Sequence, residues 1–457
     1  MRKTISLFPS DTLKFTSRIS IITVVGCLML QPVIAQESVK SWQPWKATKA
    51  ATMTLPASPD AAATAEELKV ITAIQSELSV ADHESIAYWS PGAPNYRWNQ
   101  MLLDIYAKGP PSPFKGRGLA LMNVAIYDAV AIATNAKSEF NRARPIGADI
   151  LTAMPQSSSY PSSRAAAAGA AAGVLAYLFP DDAAKFMQAA EHAAQSRVMA
   201  GVNFPSDIEA GIDIGEAVAR ELVAFAKTDN SDAEWNGKRP TGADKLKGDV
   251  FVYPAAGQWT PWAMKSADHY LPPPPYAIDS AEMAADLNEL KNIERNIPTS
   301  IAAWLNHSID RAYRWWYDRL ATAMFESGSD ISGPGAALAY ATVAAANHDA
   351  ILACFNAKYT YWMIRPAQLD NSLTTLFPNP PHPSYPAAHS CSPTSFAVSI
   401  GHFYPAHSES LMKAADVAGY SRIIAGIHYP NDKRAGEQVG TDVTLDVIAF
   451  SETLGTP

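Results

Sequence analysis

The chain of 457 residues is 48% apolar and only 18% charged, a composition that sustains a large buried core and excludes a disordered protein. Its formal net charge of −8, with no basic block, argues against nucleic acid as a partner. Three cysteines without zinc-type spacing exclude a disulfide scaffold and a structural zinc site.

The N-terminus reads as an address. Arg2, Lys3, Lys14 and Arg18 flank the apolar run ISIITVVGCLML, and Val33-Ile34-Ala35 supplies a small residue ahead of Gln36. This is the pattern of a secretory signal peptide over residues 1–35, which directs the mature chain to secretion or the periplasm. Val24-Val25-Gly26-Cys27 offers a second reading as a lipoprotein cleavage site, although the apolar run continues past Cys27. No later segment reaches 18 apolar residues without a charge or Pro, so no transmembrane anchor is expected in the mature chain. Residues 36–60 are expected to form a flexible lead-in. Cys354 and Cys391 remain after processing, and whether they pair depends on geometry.

Beyond the lead-in the chain repeats itself. Residues 196–225 and 421–450 align without gaps, with twelve of thirty positions identical. The same offset of 225 matches Tyr160-Pro161 with Tyr385-Pro386 and Phe179-Pro180 with Tyr404-Pro405. An offset of 221 matches Lys137, Arg144 and Pro145 with Lys358, Arg365 and Pro366, and Asp128-Ala129 with Asp349-Ala350. Further upstream, Ser85-Ile86-Ala87 with Trp89 matches Ser300-Ile301-Ala302 with Trp304. Five matches in one order mean a duplicated unit. The expected organisation is a first bundle over 61–226, a Pro/Gly-rich strap over 227–295, and a second bundle over 296–457.

Each copy reads as helices. In the second, an Ala-rich run follows Gly333-Pro334-Gly335 and stops at Arg365-Pro366. A second helix is predicted to open with Pro386 in its first turn and run to about His402. A third covers roughly 409–424 and ends at Gly426, and a fourth runs from near Pro430 to Phe450. No alternating strand pattern persists. The predicted fold class is all-α, two related helical bundles produced by internal duplication.

The chemistry is expected where the copies differ. His389 stands where the first copy has Arg164, and His428 where it has Asn203. Lys358, Arg365, Arg422 and Asp432 are matched by Lys137, Arg144, Arg197 and Asp207. Lys358 and Arg365, seven apart, are predicted to share one helix face. His389 falls in the first turn of a helix whose free N–H groups, including that of Ala388, make an anion site. Asp432 is close enough in sequence to hold one nitrogen of His428. Singly, each cation serves as well as a helix-dipole partner and Asp432 as a helix-start charge. Jointly they describe a pocket for a tetrahedral oxyanion. In the first copy Lys137, Arg144 and Arg197 read as inherited scaffold.

The ordered set K-x(6)-R-P at Lys358 to Pro366, Pro386-Ala387-Ala388-His389, and S-R-x(5)-H-x(3)-D at Ser421 to Asp432 resembles a tripartite signature. It is that of the superfamily of type 2 phosphatidic acid phosphatases, class A acid phosphatases and vanadium-dependent haloperoxidases. The run LPPPPYAIDSAEMAADLNELKNI also looks like the haloperoxidase branch. Ala387 and Ala388 depart from the usual Ser and Gly, and the missing hydroxyl removes one hydrogen bond to an oxyanion, about 1.5–3 kcal/mol.

The resemblance implies that Lys358, Arg365, Ala388 and Arg422 bind the oxyanion. As a haloperoxidase, His428 would coordinate vanadate as the cofactor, with Asp432 orienting it and His389 shuttling protons, and the partners would be hydrogen peroxide and halide. As a secreted acid phosphatase with no cofactor, His428 would attack a phosphomonoester and His389 would protonate the leaving group. A non-catalytic oxyanion-binding protein is the third reading, motivated by the Ala387-Ala388 departure. The membrane-type lipid phosphatase is disfavoured by the missing spans. Phe355 and Trp362 are aromatics near the site for which core packing is the plainer role.

Overall fold

Two long Ala-rich segments carry apolar residues on every side and offer no face to water, so both become central helices. In the computed structural model, which describes residues 41–110, 112, 114–307, 309–329 and 333–455, these are Lys115–Phe140 and Pro334–Tyr361. The signal-peptide reading concerns residues outside the described ones. Seven helices make the first copy: α1 (Ala61–Ser76), α2 (Val80–Trp89), α3 (Tyr96–Lys108), α4 (Lys115–Phe140), α5 (Ser163–Leu178), α6 (Ala183–Met199) and α7 (Pro205–Ala226). The second repeats them as α8 (Ala281–Asn292), α9 (Ile297–Leu305), α10 (Ile309–Ser327), α11 (Pro334–Tyr361), the short α12 (Pro366–Leu369), α13 (Ala388–Phe403), α14 (Ser408–Ile424) and α15 (Pro430–Glu452). Among the described residues the extended backbone amounts to one isolated bridge between Lys245 and Met363.

The fold is all-α and duplicated, as the repeat requires. In each copy the central helix packs on the next bundle helices, and α4 packs on α11, so one continuous apolar core spans both bundles. Both α4 and α11 are long and apolar enough to cross a bilayer, and both are buried against other helices here. Close approach of backbones builds the bundles. A Cβ on Gly436 would stand 2.5 Å from the Ala387 carbonyl, and one on Gly440 2.5 Å from the Cys391 carbonyl. Gly211 and Gly215 meet the first copy's α5 in the same way. These glycines set α15 directly against the start of α13, where the candidate site lies.

Three boundaries differ from those the sequence predicts. The helix expected from Pro386 begins at Ala388, with Ala387 as N-cap. Pro386 follows a cis bond after Tyr385 and belongs to the preceding loop, and Tyr160-Pro161 is its cis counterpart. Helix α11 ends at Tyr361, because Trp362 takes a left-handed conformation (φ 55°) and turns the chain out of the helix. Arg365 is therefore not on the helix face that carries Lys358.

The third difference is that the lead-in is packed from Trp42 onward. Asp128, fully buried in α4, accepts the backbone N–H groups of Trp45, Lys46 and Ala47 at 2.5, 2.9 and 2.8 Å. Asp349 in α11 accepts those of Trp262, Ala263 and Met264 at 2.9, 2.9 and 3.0 Å. The two segments share a motif, Trp42-Gln43-Pro44-Trp45 and Trp259-Thr260-Pro261-Trp262. Lead-in and strap are thus two copies of one element, each clamped by its own aspartate. They also join: the Trp45 indole N–H donates to the Trp262 carbonyl at 3.2 Å, and the Gln43 N–H to the Leu454 carbonyl at 2.7 Å. Burial pushes the Asp128 carboxyl up to about 7 and Asp349 to about 6, and the three amides on each pull the other way.

Each clamp needs both carboxylate oxygens as acceptors. Asp349→Asn puts an NH2 donor against a backbone donor and should lower folding stability by about 1–3 kcal/mol. Denaturant titration should show the midpoint falling with an unchanged slope.

Candidate active site

The α11 helix delivers Lys358 to a buried end where no carboxylate reaches its ammonium directly. Its three protons go instead to the carbonyls of Pro383, Ser384 and Pro386, at 2.7, 2.9 and 2.5 Å. Lys137 does the same in the first copy, donating to the carbonyls of Ser158, Ser159 and Pro161. These acceptors are the same three repeat positions. Lys358 was expected to bind an oxyanion. The structure commits it to shaping the loop ahead of α13.

That loop carries two groups that the motifs do not single out. The Ser384 hydroxyl donates to Asp432 Oδ2 at 2.5 Å, and His382 meets Arg365. The repeat itself holds the signal for His382, since at an offset of 225 it stands opposite Ser157, a third histidine absent from the first copy.

Arg365 is fully buried and spends its guanidinium on several partners. It donates to the carbonyls of His382 (2.9 Å) and Ile427 (2.7 Å), to His382 Nδ1 (3.1 Å), and to His428 Nε2 (3.0 Å). A guanidinium only donates, so Nε2 of His428 is the acceptor nitrogen and the ring proton sits on Nδ1. That proton is held by Asp432 Oδ2 at 2.8 Å. The same oxygen accepts the Tyr429 N–H at 3.1 Å, so Asp432 both caps α15 and fixes the His428 tautomer. The expected Asp432–His428 pair is present.

On the facing side, His389 is the second residue of α13. Its Nε2 is buried and has no hydrogen-bond partner among the described residues. The amides of Ala388 and His389 likewise meet no acceptor within the described chain, as the first turn of a helix requires. Arg422 closes α14 with its guanidinium 5.1 Å from the Phe377 ring centroid, anchored by Ser421 Oγ (3.0 Å) and the Ala303 carbonyl (2.7 Å). Phe355 packs on His382 and Phe114, and Trp362 on Trp235, Phe251 and Tyr359, which is the core role. Cys354 and Cys391 are free buried thiols, and Cys354 Sγ lies 3.9 Å from the Pro386 carbonyl.

The charges confirm that these groups share one environment. Burial lowers Lys358 to about 8, Arg365 to about 10 and Arg422 to about 9, all still cations at neutral pH. Burial raises the Asp432 carboxyl to about 6, against the pull of Ser384 and the nearby cations. Burial and the neighbouring cations hold His382, His389 and His428 well below the ordinary imidazole range. One carboxylate thus faces three buried cations, and the two imidazole nitrogens His428 Nε2 and His389 Nε2 are unprotonated or unpaired. Such a cluster favours a small multiply charged oxyanion.

The PAP2 superfamily model matches residues 118–231 and 336–452, together half of the chain and one match in each copy. Among solved structures the chain is similar to the first bacterial vanadium-dependent iodoperoxidase, at 20% identity and a TM-score of 0.60. That match covers 79% of this chain and 97% of the other. A holo-type bacterial vanadium-dependent chloroperoxidase matches at 12% identity and a TM-score of 0.56, covering 77% of this chain and 93% of that one. At these identities the likeness is one of fold. No curated protein matches the chain.

Three neutral buried imidazoles have a consequence for folding. Below pH about 6.5 the unfolded rings take up protons that the folded rings refuse, so each of them makes stability fall as pH falls. His382→Gln removes one such ring. Below pH about 6 its stability should fall less steeply than wild type by about 1.4 kcal/mol per pH unit, read by urea titration at stepped pH.

Proposed function

The chain belongs to the PAP2 superfamily, and we propose that it is a vanadium-dependent haloperoxidase-like enzyme that oxidises halide with hydrogen peroxide. The observation that carries this reading is His428, with Nδ1–H held by Asp432 and Nε2 turned as a bare acceptor toward Arg365. The doubled architecture over nearly the whole length of the iodoperoxidase supports it.

The residues fit vanadate. His428 offers an unprotonated nitrogen, His389 an unpartnered buried one, and Arg365, Arg422 and the amides of Ala388 and His389 offer donors. Vanadate bound there would supply Lewis-acid activation of peroxide toward attack by halide. The protein does the remainder. Asp432 keeps the proton on Nδ1 so that Nε2 stays a donor of electrons. Arg365 hands its Nη1 hydrogen bond from His428 to the incoming anion. His389, held neutral by burial and Arg422, would take up at Nε2 a proton that peroxide gives up. Lys358 keeps the 383–386 loop in place. Ala387 donates its N–H to the Asp432 carbonyl at 2.8 Å, so at this turn the amides of Ala388 and His389 are left for the oxyanion.

The bare Nε2 of His428 equally supports a second reading, a secreted acid phosphatase. There Nε2 attacks the phosphorus of a phosphomonoester while the ester oxygen leaves with a proton from His389, which takes that proton from the incoming phosphomonoester monoanion, and water then releases phosphate from the histidine.

Paired assays decide between them. The first reading expects iodide, bromide or chloride oxidation that needs added vanadate and peroxide. Phosphate release that vanadate inhibits would replace it with the second, and anion binding with neither turnover would leave a binding protein. His428→Ala should bring turnover to background. Asp432→Asn should weaken vanadate binding about 10–100-fold, measured by equilibrium dialysis.

A further inference from the structure

The first copy holds a pocket of its own at the position of the second copy's site. It is a small, partly open pocket, with ≈ 20 Å³ of room for the centre of a water-sized sphere, and is lined by Arg97, Arg164 and Arg197, with Trp89, Trp98 and Ala193 among its apolar walls. Among the described residues no carboxylate lines it. Arg164 stands at the His389 position in the first turn of α5, and Arg197 at the Arg422 position at the end of α6. Arg197 is 3% exposed, and its Nε is a buried donor with no partner among the described residues. Its guanidinium makes a long hydrogen bond, 3.4 Å, to Ser90 Oγ. Arg164 donates to the Gly92 carbonyl at 2.6 Å, and Arg97 is steered by the Tyr88 carbonyl and Gln100.

The other repeat positions are used up. Lys137 holds its three carbonyls, and Arg144 holds those of Pro155, Ser157, Ser158 and Val202. Asn203, at the His428 position, gives its amide to the Ser159 carbonyl and Asp207. Inherited scaffold therefore describes Lys137 and Arg144 but not Arg197. A buried guanidinium whose Nε has no partner among the described residues, set beside two other arginines, is costly unless an anion enters.

We propose that the first copy is a second oxyanion site, in which Arg164, Arg197 and Arg97 hold a free phosphate-sized tetrahedral anion that undergoes no chemistry. Chemistry is absent because the nucleophilic or ligating imidazole is replaced by an amide that is already bonded. Two guanidiniums from α5 and α6 and one from α3 then close on one ligand, so its binding ties three helices of the first copy together.

The test is isothermal titration of the full chain with inorganic phosphate in chloride-free buffer, beside thermal unfolding with and without phosphate. Wild type and His428→Ala should share a phosphate-binding event that Arg197→Gln and Arg164→Gln each weaken about 10–100-fold. Phosphate should raise the unfolding temperature of wild type and His428→Ala more than that of Arg164→Gln. If Arg197→Gln fails to fold, Arg164→Gln and the half-buried Arg97→Gln carry the test. Binding isotherms and phosphate-induced shifts unchanged in these variants would overturn the second site and leave the arginines a packing role.

Discussion

A buried ammonium that must find three acceptors organises the site. Lys358 sits where solvent cannot reach, and its protons are satisfied by the carbonyls of one loop. Holding that loop fixes where α13 begins, puts His382 under Arg365, and aims the Ser384 hydroxyl at Asp432. The tautomer of His428 then follows, because Asp432 is anchored from three directions by Ser384, Tyr429 and the imidazole itself. The first copy keeps the same lysine contacts without the histidines, so this architecture does not depend on them.

Much of this is legible in the amino-acid sequence alone. The duplication, the all-α class and the four main helices of the second bundle follow from the repeat and from Ala-rich runs bounded by Gly and Pro. The Asp432–His428 pair follows from a four-residue spacing across a helix start. Arg365 is misplaced by the same reasoning because periodicity cannot register a single left-handed residue, Trp362, which redirects everything after it. His382 and the paired Trp-x-Pro-Trp segments escape for another reason. They lie in loops, where no periodic pattern draws attention, and only comparison of one copy with the other exposes them.

The copies also show how a carboxylate is kept available. In the first, Asp207 is paired with Arg142 at 2.8 Å and its charge is neutralised. At an offset of 221 the residue opposite Arg142 is Met363, so Asp432 has no ion pair of that kind, while its Oδ2, whose counterpart in Asp207 accepts from Asn203, goes to His428. At that oxygen the copies differ by one partner, an amide in the first and an imidazole in the second.

The contact between Gln43 and Leu454 brings the two ends of the described fold together, next to the point where Trp45 reaches Trp262. Strap, bundle, strap and bundle therefore follow one another around a closed circuit. Neither half is first in any packing sense. A chain cut between the copies and joined across its present ends would run through the same circuit from another starting point, with each aspartate still clamping its own strap. Packing therefore gives neither copy priority over the other, and the location of His382, His389 and His428 in the later one carries no structural necessity.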